Sequence, residues 1–176
     1  MMDKNLAALL VVDVQVGMFN KSDPVHQADL LIENIKSLID KARSYGTKVI
    51  YVQHNARPGK PFERETPGWE IHPAIRPNVG DTIIQKNTPD SFHETNLQEE
   101  LLVMGVKQIF LTGIQTELCI DSTCRRAQSL GYNVVLVKDA HSTWKRGELD
   151  AEQIIEHHNN LLCWFAEVKE SSQIQF

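Results

Sequence analysis

The sequence is poor in features that mark several large function classes. Basic residues are outnumbered, 18 Lys and Arg against 23 Asp and Glu, and the net charge is -5. No basic cluster stands out, so nucleic acid is not an expected partner. Cysteine is scarce: Cys119, Cys124 and Cys163 form no C-x-x-C pair and no metal-type spacing. An odd cysteine count without a recognisable secretory leader points to a reducing cytoplasm. Long hydrophobic runs are missing. The N-terminal "LAALLVV" falls far short of the ~20 residues that cross a bilayer, and it runs straight into Asp13. It reads as a buried strand, with a shortened secretory segment as the alternative, and no membrane partner is expected. Glycine is absent where nucleotide binding needs it. The first strand leads into "DVQVGMF" with no G-x-G-x-x-G, and no G-x-x-x-x-G-K-[ST] occurs. An acid stands where a phosphate loop puts glycines, which disfavours a dinucleotide oxidoreductase.

What is present is an alternation of short apolar runs and helical patterns. The 176 residues suit a single domain, 1–176, with a substantial core. "LAALLVVDV", "TKVIYVQ", "DTIIQK", "KQIFLTG", "NVVLVKDA" and "CWFAEV" read as strands in chain order. "ADLLIENIKSLIDKARSYG" carries Leu31, Ile32, Ile35, Leu38, Ile39 and Ala42 at helical spacing, with Gly46 placed to end it. "TNLQEELLVMG" is a second helix, with Thr95 and Gln98 spaced as a capping box and Gly105 as its stop. "ELDAEQIIEHHNNLL" is a last long one. Continuous apolar strands between helices imply a parallel sheet covered on both faces, a doubly wound α/β fold. Residues 54 to 81 break the pattern. They hold most of the prolines, show no clear helix, and carry His54, Phe62, Trp69 and His72. A loop this long reads either as a pocket wall or lid, or as a tolerated surface insertion.

Open α/β sheets bind ligands beyond the carboxyl ends of their strands. Asp13 and Gln15 stand there after the first strand, Gln53 and His54 after the second, Lys86 after the third, and Asp139 and His141 after the fifth. The fourth ends at Gly113, shortly before Cys119. Thr116 suits an N-cap, which puts Cys119 in the first turn of a helix, where the partial positive charge favours thiolate. The competing reading is packing, since free cysteine is among the most buried residue types. Helical geometry separates the thiols: Ile120, Cys124 and Ala127 form the apolar stripe, and Cys119 lies about 100° off it. Cys124, and Cys163 within "LLCWF", suit the core better. A nucleophile also needs a base and a charge partner, and Asp13 and Lys86 are the candidates. Asp13 as a turn residue and Lys86 as a solvated strand end are the plainer readings of each alone.

At these residues the chain resembles the isochorismatase-like cysteine hydrolases, the superfamily that includes nicotinamidases. The likeness rests on "LLVVDVQVGMF", on "IIQKNTPDSFHETNLQEELLVMGV", and most specifically on "LTGIQTELCIDSTCRRAQSLGYNVVLVKDAHST". It implies a six-stranded parallel sheet ordered 3-2-1-4-5-6. It implies an Asp13, Lys86 and Cys119 triad, with Lys86 two strands away and its loop bent inward. It implies a cis peptide at Ile114–Gln115, and an oxyanion hole made by the N–H groups of Gln115 and Cys119. The expected activity is hydrolysis of a carbon–nitrogen bond in a small molecule through a thioester. Trp69 with Met18 or Phe19 is expected to wall the substrate, with Gln15, His54 and His72 close by. A homo-oligomer is also implied.

One departure bears on metal and substrate. The nicotinamidase Asp-x-His is missing from "VQHNARPG", although His72 follows Trp69 at the spacing seen there. Two histidines, His54 and His72, without that carboxylate make a poor site for a divalent ion. No metal and no other cofactor is expected, and nicotinamide is disfavoured. The rival readings are a vinyl-ether hydrolase of the isochorismatase type, a non-catalytic member of the fold, and a redox-sensing thiol.

Overall fold

The computed structural model describes residues 6–176. Its strands are β1 (Ala7–Val12), β2 (Lys48–His54), β3 (Thr82–Lys86), β4 (Gln108–Ile114), β5 (Asn133–Ser142) and β6 (Glu167–Lys169). They form one six-stranded sheet in the order β3-β2-β1-β4-β5-β6, parallel at every pairing. Helix α1 (Ala28–Ser44) covers one face, and α2 (Leu97–Val103), α3 (Asp121–Ser129) and α4 (Ala151–Leu162) cover the other. The alternation of side chains along β1 divides its residues between two cores. Ala8, Leu10 and Val12 pack with α2 and α3, and Leu9 and Val11 pack with α1. The strand order reverses between β1 and β4, so the crevice for a ligand lies at their carboxyl ends. Among the described residues no helix is long and apolar enough to cross a membrane.

Three local expectations fail for identifiable reasons. The sixth strand is Glu167–Lys169 and not the "CWFAEV" run. Helix α4 extends through Leu162 and the chain then turns, leaving Trp164 82% exposed and Phe165 under the Arg125 guanidinium at 4.4 Å. Apolar content marked a helix exit here, not a strand. Cys163, read as core, caps that exit and is exposed. The Thr95–Gln98 capping box is not formed. Asn96 occupies the N-cap, and the Thr95 hydroxyl donates to Ser91 O at 2.7 Å while accepting from Leu97 N–H at 3.3 Å. The reciprocal capping box lies on α4, between Asp150 and Gln153.

Gly113 is where β4 must be glycine. Its φ is +127, and a Cβ there would stand 2.0 Å from the carbonyl oxygen of Val12. The close approach seats β4 directly against the end of β1, next to Asp13. Gly113→Ala is expected to lower stability by about 3 kcal/mol through overpacking. Gly147→Ala is the control: φ is +60 with open space around the new methyl, and the expected loss is about 1 kcal/mol. Urea unfolding midpoints report both, and equal shifts would show that the contact with Val12 does not matter.

Candidate active site

Three strand ends converge on one small volume. Asp13 leaves β1 with φ +53, a conformation that side chains other than glycine seldom adopt. Its N–H donates to Val52 O at 2.8 Å, which holds the residue against β2. Lys86 is the last residue of β3, level with His54 across the β2 pairing. The segment after Lys86 returns over the sheet, with Thr88 O on the lysine ammonium and Ser91 on Thr123 of α3. Its Nζ lies 2.7 Å from Asp13 Oδ2, 3.2 Å from Cys119 Sγ and 3.0 Å from Thr88 O. These three contacts use all three ammonium protons. Asp13 and Lys86 are both 0% exposed. Among the described residues, no donor other than Lys86 and the Cys119 thiol reaches either carboxylate oxygen.

The cysteine sits on an irregular turn. The Ile114–Gln115 peptide is cis. Thr116–Ile120 then forms one π-helical turn, in which Ile120 N–H donates to Gln115 O at 3.1 Å, before α3 begins. Such turns are frequent at functional sites. Thr116 is not the N-cap. Gln115 holds that position in extended backbone, and the Thr116 hydroxyl is spent on His141 Nδ1 at 2.8 Å. Cys119 is half-buried, while Ile120, Cys124 and Ala127 form the fully buried stripe. From the loop after β5, Arg146 donates to Gln115 Oε1 at 3.1 Å and to Glu117 Oε1 at 2.9 Å, and so clasps the outer side of the turn.

The charges do not favour a resting thiolate. Burial, then the Asp13 carboxylate, push the Cys119 thiol up to about 12, and Lys86 offsets only part of this. The direction is opposite to the one expected from the helix terminus: desolvation and a neighbouring anion outweigh the Lys86 ammonium. The arrangement is a protonated thiol beside a carboxylate whose other donor is the Lys86 ammonium. Burial disfavours the Lys86 ammonium, but the Asp13 carboxylate and the contacts with Asp13 and Cys119 outweigh burial and raise its pKa, so it stays charged. His54 is held below its usual value by burial and by Lys86.

The remaining candidates divide between the site and its frame. Gln15 is fully buried. It donates to His54 O and Trp69 O at 3.0 and 2.8 Å and accepts from His54 N at 3.0 Å, a clamp between β2 and the long loop. That loop is pinned along β1's exit, with Val16 N–H on Glu70 O at 2.8 Å and His72 N–H on Val14 O at 2.9 Å. Trp69 Nε1 donates to Asn55 Oδ1 at 2.7 Å. Met18 is buried in the α1-side core. Phe19 packs against the His72 ring with centroids 4.7 Å apart, and both line a groove that contains none of Asp13, Lys86 and Cys119. His54 Nδ1 is buried and has no hydrogen-bond partner among the described residues. Among the described residues no group of three His, Cys, Asp or Glu stands close enough to hold a metal ion. Sequence reasoning missed Thr88, which contributes only a carbonyl, and Arg146, whose exposed loop gives no pattern. It also missed Ser91 and Thr123, hydroxyls 2.8 Å apart that tie the segment after Lys86 to α3.

The Isochorismatase domain family model matches residues 7–166. The chain belongs to that family. Streptothricin hydrolase of Streptomyces noursei is 35% identical over 137 residues, covering 78% of this chain and 50% of the relative. The chain thus spans about half the length of that curated relative. Nicotinamidase 3 of Arabidopsis thaliana is 30% identical over 156 residues, 81% of this chain and 76% of its own. An isochorismatase of Pseudomonas putida superposes with a TM-score of 0.92 at 27% identity, covering 98% of this chain and 91% of the other. The fold is the isochorismatase fold, and the family is one of hydrolases.

The thiol's high pKa has a direct readout. Alkylation of Cys119 by iodoacetamide is expected to accelerate about tenfold per pH unit across roughly pH 6 to 9, with no plateau. Asp13→Asn removes a cause of the raised pKa and leaves Lys86, so alkylation at about pH 8 should become faster. A plateau in the wild type near neutrality, or slower alkylation in Asp13→Asn, contradicts this assignment.

Proposed function

We propose that the protein is a cysteine hydrolase that cleaves an amide-type C–N bond of a small molecule through a thioester. The observation that carries this is Lys86, whose single ammonium touches both a carboxylate and a thiol at the sheet's carboxyl edge. In this reading Asp13 takes the Cys119 proton as the sulfur attacks the substrate carbonyl. Lys86 keeps its charge and stabilises the sulfur as it becomes anionic. The developing oxyanion is received by the backbone N–H groups of Gln115 and Cys119, donors of a kind worth about 3 kcal/mol each. Asp13 returns the proton to the leaving nitrogen, the C–N bond breaks, and an acyl group remains on sulfur. Water, deprotonated by Asp13, adds to the thioester. The carboxylic acid leaves and the thiol is restored.

The relatives named for acting on streptothricin and on nicotinamide support hydrolysis at carbon–nitrogen bonds. His54, with an unpartnered Nδ1 beside Lys86, is the polar group offered to the substrate, and Trp69 supports the wall. The enzyme works without a metal or other cofactor, on a small molecule and not on nucleic acid, as a homo-oligomer in the cytoplasm. The test is ammonia release from a panel of small amides, cyclic imides and ureas, without and then with added divalent metal. Turnover of one substrate that falls about 10⁴-fold or more in Cys119→Ala is the expected result. Activity that survives in Cys119→Ala would remove the thiol from the mechanism and favour acid chemistry at Asp13.

A further inference from the structure

Behind the turn that carries Cys119 lies a buried hydrogen-bond chain that the reaction itself does not use. It starts on α4, where Asn159 Nδ2 donates to Lys138 O at 3.3 Å. That contact turns the amide oxygen the other way, and Oδ1 lies 2.9 Å from His141 Nε2. An amide oxygen only accepts, so Nε2 carries the proton. Nδ1 of the neutral ring is then an acceptor, and the Thr116 hydroxyl donates to it at 2.8 Å. Thr116 and His141 are 0% and 3% exposed. Burial holds His141 down to about 4, so the ring stays neutral.

The backbone is bent to make this chain possible. Leu111 pairs with Leu136, but Gly113 pairs with His141, so β5 bulges by several residues beside Thr112. The bulge brings His141 level with the exit of β4, directly behind the turn. Without it, a residue two places after Leu136 would stand there. Bulges that re-aim one side chain are common beside active sites. Thr116 opens the turn and Cys119 stands three residues later, on the side of Lys86.

We infer that His141 is a positioning residue: as a neutral acceptor backed by Asn159, it anchors Thr116 and so keeps the Cys119 sulfur within reach of Lys86 and Asp13. The importance of that reach rests on the nucleophile reading above. The anchoring itself does not.

The chain's three cysteines provide a self-controlled test. Iodoacetamide labelling at neutral pH, mapped by mass spectrometry, reads Cys119 as reporter. Exposed Cys163 serves as the internal reference, and buried Cys124 reports an intact fold while it stays unlabelled. Thr116→Val keeps the shape and removes the donor. It is expected to free the turn, expose the sulfur and speed Cys119 labelling about tenfold relative to Cys163. Thr116→Ser keeps a hydroxyl and should behave as the wild type. His141→Leu should match Thr116→Val, and the double variant should be no worse than either single, since both remove one contact. Nitrogen NMR of the wild type should show an Nε2-protonated neutral ring for His141. On a substrate that the enzyme turns over, Thr116→Val should lower kcat about 10²-fold with KM within about threefold. Unchanged Cys119 labelling in Thr116→Val with Cys124 protected, or an Nδ1-protonated ring, overturns the inference. If these results hold but Cys119→Ala retains turnover, the function reading fails and the anchoring stands.

Discussion

A buried charge pair with nowhere to go organises this molecule. Asp13 and Lys86 are wholly removed from solvent, and the desolvation of each ion costs several kcal/mol. The cost is offset only if every ammonium proton and both carboxylate oxygens find partners at close range. That demand fixes the ends of three strands relative to one another. Lys86 must finish β3 level with His54, Asp13 must turn out of β1 in a left-handed conformation, and β4 must pass close enough to β1 that residue 113 has no side chain. The thiol on the turn after β4 is the remaining partner. It donates where the carboxylate lacks a donor and accepts from the ammonium.

This environment explains why the thiol is protonated at rest. A cysteine at a helix start is ordinarily acidified, yet here burial and a carboxylate raise the thiol and Lys86 offsets only part of the rise. In the proposed mechanism the proton leaves the thiol only as a bond to the substrate forms, and it moves within the buried cluster to Asp13. As the C–S bond forms, the negative charge passes through the sulfur to the substrate oxygen, and Lys86, in contact with both the carboxyl group and the sulfur, stabilises it on the way without moving.

Much of the fold was legible because parallel strands buried on both faces leave continuous apolar runs, as β1, β2, β4 and β5 do, while the edge strand β3 offers only Ile83 and Ile84. The strand order came from resemblance, since periodicity carries no information about which strand lies beside which. Asp13, Lys86 and Cys119 were legible as chemistry-bearing residues at strand exits. Local readings failed where a residue had a distant partner. Thr116 looked like a cap, but its hydroxyl serves His141, which lies in another strand. Thr95 is a nearer case: one position before the N-cap Asn96, its hydroxyl donates to Ser91 O and accepts from the Leu97 N–H at the helix start. The apolar Cys163–Phe165 run imitated a strand because one ring is covered by Arg125 while its neighbour Trp164 is left in solvent. The thiol's charge state was misread because burial depends on tertiary packing, which a helix position does not report.

The most direct test of this account is a double-mutant cycle in urea unfolding with Asp13→Asn, Lys86→Met and the two combined. Lys86→Met leaves a carboxylate buried and unpaired and is predicted to lose about 3 kcal/mol or more, while the double variant recovers most of that loss. If the two single losses simply add, the pair is not the constraint that holds these strand ends together.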